Sequence, residues 1–67
     1  MAILKVVEIM ASSKKSWEDA TKNAVKAAGK TVKGIRSVYV QDMSAVVGKN
    51  ELIEFRVNVK ITFEVID

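Results

Sequence analysis

The chain has 67 residues, a formal net charge of +3, and neither cysteine nor histidine. A single domain of this length, residues 1–67, buries only a small core, and no disulfide can reinforce it. We therefore expect association with further copies to supply stability. The composition excludes catalysis by a histidine base or a cysteine nucleophile, so we expect a non-enzymatic protein.

The first predicted element is a β-strand over residues 2–10. Its sequence, AILKVVEIM, is apolar on both alternations, with Lys5 and Glu8 as the only charges. A strand of this kind needs cover on both faces. One small subunit has too little mass to provide that cover, which again favours contact with a second copy.

A helix is predicted to begin near Ser16, after the serine-rich residues 11–16 interrupt the strand pattern. Ser16 followed by Asp19 resembles a capping box, in which a hydroxyl accepts from a free backbone N–H. Apolar residues then recur at spacings of three and four, which predicts one stripe packed on a sheet. The stripe consists of Trp17, Ala20, Ala24, Ala27, Ala28 and Val25.

The opposite helix face is basic, with Glu18, Lys22, Lys26 and Lys30 each four residues apart. Such a face is usually solvated, although it also suits an anionic partner. Either Gly29 or Gly34 is expected to end the helix.

Residues 35–47 predict a second strand, rich in β-branched residues. Strict alternation places Ser37, Tyr39, Gln41 and Met43 on one side and Val38, Val40 and Asp42 on the other. A turn at residues 48–51 follows.

The third strand, residues 53–65, is the most regular part of the chain. Every odd position is apolar and every even position is polar, with no proline or glycine. This alternation predicts one face on the core and one outside. A helical crossover makes the first two strands parallel, and the short turn makes the last two antiparallel. The predicted fold is therefore α+β, of order β-α-β-β. The third strand lies centrally in a three-stranded antiparallel sheet that wraps one helix.

The residues themselves suggest little chemistry beyond binding. The sequence has no glycine-rich phosphate loop and no metal-ligand spacing. The polar face of the third strand is most simply a solvated surface, although the Arg56 guanidinium suits a phosphate or a planar ring and Tyr39 offers a stacking surface. Trp17 is interpreted as a packing residue at the start of the helix. Few aromatic residues accompany the lysines, so nucleic-acid binding is not expected.

The whole chain resembles the dodecins. The resemblance rests on the β-α-β-β order at this length and on four segments: KVVEI, ASSKKSWEDA, KTVKGI and EFRVNVKITFEV. It implies a hollow, spherical homododecamer of cubic symmetry that binds or sequesters a small ligand. Members of the family bind flavins, riboflavin or flavin mononucleotide (FMN), and some bind coenzyme A.

Two departures from the family pattern concern the flavin. The resemblance places Ser37 where flavin-binding members have a tryptophan that stacks on the ring, and Arg56 where they have a glutamine. Asp42 matches an acidic residue near that pocket, and Tyr39 lies two residues from Ser37. These four residues form the predicted ligand site, with weak flavin binding expected.

Two hypotheses follow from the resemblance. In one, the particle binds a flavin, coenzyme A or another phosphate-bearing ligand. In the other, it is a structural or ion-binding dodecin without flavin. No segment approaches the roughly 20 apolar residues of a membrane helix, and no signal peptide is recognisable. We therefore expect a cytoplasmic protein with no membrane partner.

Overall fold

A computed structural model describes residues 2–65. The elements are β1 (Leu4–Ser13), α1 (Trp17–Ala28), β2 (Ile35–Gly48) and β3 (Glu51–Glu64). The predicted order β-α-β-β is confirmed. The sheet order is β1-β3-β2, and both pairings are antiparallel. The alternating strand β3 is therefore central, as its pattern predicts. At 12 residues, α1 is not long and apolar enough to cross a membrane.

The helix begins where the capping signal places it. Ser16 is the N-cap, and its side-chain oxygen accepts a hydrogen bond from the Asp19 backbone N–H at 2.9 Å. The Asp19 carboxylate in turn accepts from the hydroxyl of buried Ser13 at 2.6 Å. This bond connects the end of β1 to the first turn of α1. At its other end the helix ends at Gly29, whose N–H donates to the Val25 carbonyl oxygen at 2.9 Å.

The core lies between the alanine-lined face of α1 and the apolar face of β3. Its buried apolar residues are Ala20, Ala24, Ala28, Val57, Val59 and Ile61. The expectation for Ala27 is wrong, since this residue is exposed. The buried alanines recur every four residues along one line of the helix, and Ala27 lies about 100° away from Ala28 around the axis.

The first strand begins and ends later than predicted. Ser12 and Ser13 belong to it, because β3 is long enough to pair with them through Arg56 and Phe55. The sequence predicts that both faces of β1 need cover, and within the subunit only one of them is covered. Val7, Ile9 and Ala11 pack against the core, whereas Leu4, Val6 and Met10 are exposed on the other side.

A β-bulge in β2 overturns the strict alternation predicted for this strand. Val40 pairs with Val59, but the next paired residue is Asp42, opposite Asn58. The extra residue, Gln41, reverses the direction of the side chains that follow it. Asp42 therefore lies on the same face as Tyr39, and Met43 lies on the helix side, opposite Val57.

The hairpin of β2 and β3 extends beyond β1 as a two-stranded arm, residues 46–54. The pairing of β1 stops at Ser13 and Phe55, whereas β2 and β3 stay paired as far as Gly48 and Glu51. Lys49 and Asn50 form the turn with φ of 51° and 63°, a left-handed conformation suited to tight hairpins. The arm makes the subunit 51 Å long and only 13 Å thick.

The first prediction tests the close contact between α1 and the sheet. Ala24→Leu should lower the free energy of unfolding by about 1–3 kcal/mol, because the added atoms overpack a tight interface. Ala27→Leu makes the same change at an exposed position of the same helix, and its effect should stay within about 0.5 kcal/mol. Urea unfolding at one fixed protein concentration measures both. Equal effects of the two substitutions would contradict the assigned faces of α1.

Candidate ligand-binding face

The sheet face that does not carry α1, called the open face below, contains all four predicted site residues. Cross-strand pairing arranges it in rows from β2 through β3 to β1. These rows are Ser37–Thr62–Val6, Tyr39–Lys60–Glu8, Asp42–Asn58–Met10 and Ser44–Arg56–Ser12. Ser37, Tyr39, Asp42 and Arg56 therefore lie in four successive rows of one surface. The bulge at Gln41 is what brings Asp42 into this group.

Tyr39 presents its ring to the outside, with 66% of the residue accessible in the single subunit. Its cross-strand neighbour is Lys60. Directly opposed residues on one sheet face have Cβ atoms about 4.5–5.5 Å apart. An aromatic surface and an ammonium group are therefore adjacent on the open face. Sequence alternation identified Lys60 as a polar-face residue, but only the register of β2 on β3 places it beside Tyr39.

Arg56 lies between Ser12 and Ser44 and is exposed. The ion pairs within residues 2–65 are Glu18 with Lys22 and Arg36 with Glu64, at 3.8 Å and 3.2 Å. Arg56 takes part in neither. Its guanidinium is therefore available to a ligand, and it offers five donors in a planar fork that fits phosphate.

Asp42 is held by Asn58, whose side-chain amide nitrogen donates to a carboxylate oxygen of Asp42 at 3.4 Å. This long bond leaves much of the carboxylate open to a further donor or a cation. Across residues 2–65 no group of three or more histidine, cysteine, aspartate or glutamate side chains is positioned to hold a metal ion. A cation at Asp42 would need additional oxygen ligands from elsewhere, such as a second copy of the chain.

Trp17 supports the open face from the helix side. Its Nε1 donates to the Ser44 carbonyl oxygen at 2.8 Å, and its ring meets Phe55 edge to face at a centroid distance of 4.8 Å. These contacts fix the base of the arm against the start of α1. Trp17 is thus a packing residue, as the sequence indicates, and it also holds the strand that carries Ser44 next to Arg56.

The open face also carries large apolar side chains that nothing in the subunit covers. Leu4, Val6 and Met10 are more than half exposed on this face. On the arm, Val47, Leu52 and Ile53 are also more than half exposed. Monomeric proteins rarely leave contiguous apolar patches of this kind bare. The four rows therefore combine an apolar base with an aromatic ring, two cations, Arg56 and Lys60, and two carboxylates, Glu8 and Asp42.

Comparison with known proteins gives a consistent result. The family model described as Dodecin matches residues 3–66. The calcium dodecin of Mycobacterium tuberculosis (strain ATCC 25618 / H37Rv) is 31% identical over 64 residues, which cover 96% of this chain and 90% of the relative.

Solved structures show the same fold. A crystal structure of that calcium dodecin, described as calcium-chelating with a novel calcium-binding site, superposes with a TM-score of 0.82 at 30% identity, covering 94% of this chain and 90% of the other. A mutant dodecin from Thermus thermophilus superposes with a TM-score of 0.94 at 22% identity, with both chains fully covered. The dodecin of Streptomyces coelicolor gives 0.92 at 20% identity, covering 98% of this chain and 94% of the other.

The second prediction concerns the support that Trp17 gives to the open face. Trp17→Phe keeps a ring against Phe55 but removes the Nε1 donor, so the free energy of unfolding should fall by about 1–2 kcal/mol. Tyr39→Phe removes a polar group from an exposed ring and should change it by less than about 0.5 kcal/mol. Urea unfolding at matched protein concentration compares the two. A larger effect of Tyr39→Phe would contradict these roles.

Proposed function

Because the chain belongs to the dodecin family, we propose that it is a non-enzymatic homododecamer whose open faces bind a flat, phosphate-bearing ligand such as FMN. One observation carries the proposal: the pairing of β2 with β3 places the exposed ring of Tyr39 beside Lys60, two rows from Arg56. An aromatic surface next to two cationic side chains is suited to a ligand that has both a planar ring and a phosphate.

The shape of the subunit supports assembly. Its radius of gyration is 13.7 Å, whereas a compact chain of this length has a value of about 11 Å. The difference comes from the arm, which carries Val47, Leu52 and Ile53 in exposed positions. A two-stranded ribbon is marginally stable alone. Packing of the arm and the open face on neighbouring copies would bury these side chains, in agreement with the dodecameric assembly that the family resemblance implies.

The open face is suited to binding rather than catalysis. Lys60 and Arg56 are hydrogen-bond donors without an acceptor atom, so they hold an anionic group by charge and hydrogen bonding. The serines in the neighbouring rows, Ser37 and Ser44, are paired with Thr62 and Arg56, neither of which is a general base. Retention of a small molecule on this face agrees with the storage or sequestration that the family resemblance implies.

The third prediction compares the affinities of FMN and riboflavin, which differ by one phosphate group. Flavin fluorescence is titrated with assembled protein, whose mass is checked by light scattering. If Arg56 and Lys60 bind the phosphate, FMN should bind about tenfold more tightly than riboflavin, the equivalent of one charge-assisted hydrogen bond. If an intact dodecamer quenches neither flavin, flavin binding is contradicted. The proposed assembly would be unaffected by that result, because light scattering tests it separately. Coenzyme A, tested by competition, is then the next phosphate-bearing candidate.

The same titration with substituted proteins tests which residues form the flavin site. Arg56→Met should lower FMN affinity and leave riboflavin affinity nearly unchanged, because it removes the cation without introducing the glutamine that flavin-binding members have at this position. Lys26→Gln removes a charge from the exposed surface of α1 and should change neither affinity. Ser37→Trp adds a stacking surface in the row next to Tyr39 and should tighten both flavins. An unchanged affinity in Ser37→Trp would contradict placement of the ring over β2.

A divalent cation is the second candidate ligand. The observation that favours it is the Asp42 carboxylate, bound by a single long hydrogen bond on the open face of a chain 31% identical to a calcium dodecin. Calcium takes six to eight oxygen ligands. Asp42 and Asn58 provide too few within one subunit, so this site would lie between copies.

The fourth prediction tests that candidate by calorimetric titration with calcium chloride. Asn58→Asp should tighten calcium binding, because it places a second carboxylate opposite Asp42. Asp42→Asn should weaken it by about tenfold or more. Glu51→Gln, at the tip of the arm, is the matched loss of one carboxylate and should have no effect. Calcium binding that is indifferent to Asp42→Asn would exclude this position as the cation site.

A further inference from the structure

A cavity of about 630 Å³ lies at the other end of the subunit from the arm, on the helix side of the sheet. It is formed where the residues after α1 meet the ends of β1 and β3. Its lining residues are Lys5, Thr31, Val32, Lys33, Phe63, Glu64 and Val65. The volume falls within the range of small-molecule sites. On the β3 side the lining comes from the odd-numbered residues Phe63 and Val65 and from one even-numbered residue, Glu64.

Backbone hydrogen bonds hold the walls of this cavity in place. The Val32 N–H donates to the Ala28 carbonyl oxygen at 2.9 Å, which fixes the turn after the helix. The Glu64 N–H donates to Gly34 at 2.9 Å, and the Val65 N–H donates to Ile3 at 2.8 Å. Three separate segments are thereby connected around the opening. The cavity is therefore formed before any ligand arrives, which lowers the ordering cost of binding.

The charge of the lining is positive. Glu64 is paired with Arg36 at 3.2 Å, so its carboxylate is already neutralised. Lys5 and Lys33 take part in neither of the ion pairs within residues 2–65. Val32, Phe63 and Val65 provide apolar walls beside these two ammonium groups. An apolar cavity with two unneutralised cations complements a molecule that has an apolar body and one anionic group.

We propose that this cavity is a binding site for a small amphipathic anion, an alkyl or aryl carboxylate. Its apolar part lies against Val32 and Phe63, and its carboxylate pairs with both Lys5 and Lys33. The carboxyl end of α1 lies nearby and carries a partial negative charge of about half an elementary charge, which repels an anion. That effect is smaller than the two lysine charges, and the last carbonyl groups of the helix already accept bonds from Gly29, Lys30 and Val32.

The test uses octanoate and 1-octanol as probes of equal chain length, titrated calorimetrically into the assembled full-length protein. Octanoate should bind once per subunit and at least about fivefold more tightly than 1-octanol, which corresponds to one exposed ion pair. Lys5→Gln and Lys33→Gln should each weaken octanoate by about fivefold. The control Lys26→Gln, on the same helix side of the chain but outside the cavity, should bind octanoate as the parent protein does.

Two further measurements separate this cavity from the open face. Val32→Trp should fill the cavity and abolish octanoate binding while the particle keeps its mass, and Arg56→Gln should leave octanoate affinity unchanged. Three outcomes would each overturn the proposal. These are an absence of octanoate binding, equal affinities for octanoate and 1-octanol, and a loss of octanoate affinity in Arg56→Gln that matches the loss in Lys33→Gln.

Discussion

The packing of three alanines on three branched residues is the contact on which the rest of this structure depends. Ala20, Ala24 and Ala28 allow α1 to lie close to β3, where Val57, Val59 and Ile61 are buried. A core this small cannot also cover the second face of the sheet or the arm. The same contact that folds the subunit therefore leaves large apolar residues outside it, and association with other copies is the physical consequence.

The central position of β3 gives its two rows of side chains different roles. In the odd-numbered row, Val57, Val59 and Ile61 are buried under α1, and Phe63 lines the cavity at the end of the subunit. The even-numbered row crosses the open face and includes Arg56 and Lys60. Because one strand separates the two candidate sites, a change in the even row need not disturb the odd row. This separation is why variants of one site are suitable controls for the other.

The β-bulge in β2 shows how one residue determines the composition of a site. Without the extra residue Gln41, Asp42 would point toward the helix and Met43 toward the open face. With it, the carboxylate lies opposite Asn58 on the same surface as Tyr39. Bulges are common where a strand must redirect a side chain. Here the redirected side chain is the only carboxylate among the four predicted ligand residues.

The sequence by itself determined the element order, the cap at Ser16 and the central place of β3, because hydrophobic period and capping chemistry are local properties of the chain. It also identified Tyr39 and Arg56 as candidates on chemical grounds. It did not determine that Asp42 shares their face, that Lys60 adjoins Tyr39, or that Ala27 is exposed. Those facts depend on register, on a bulge and on helix rotation, which are decided only when strands and helix meet.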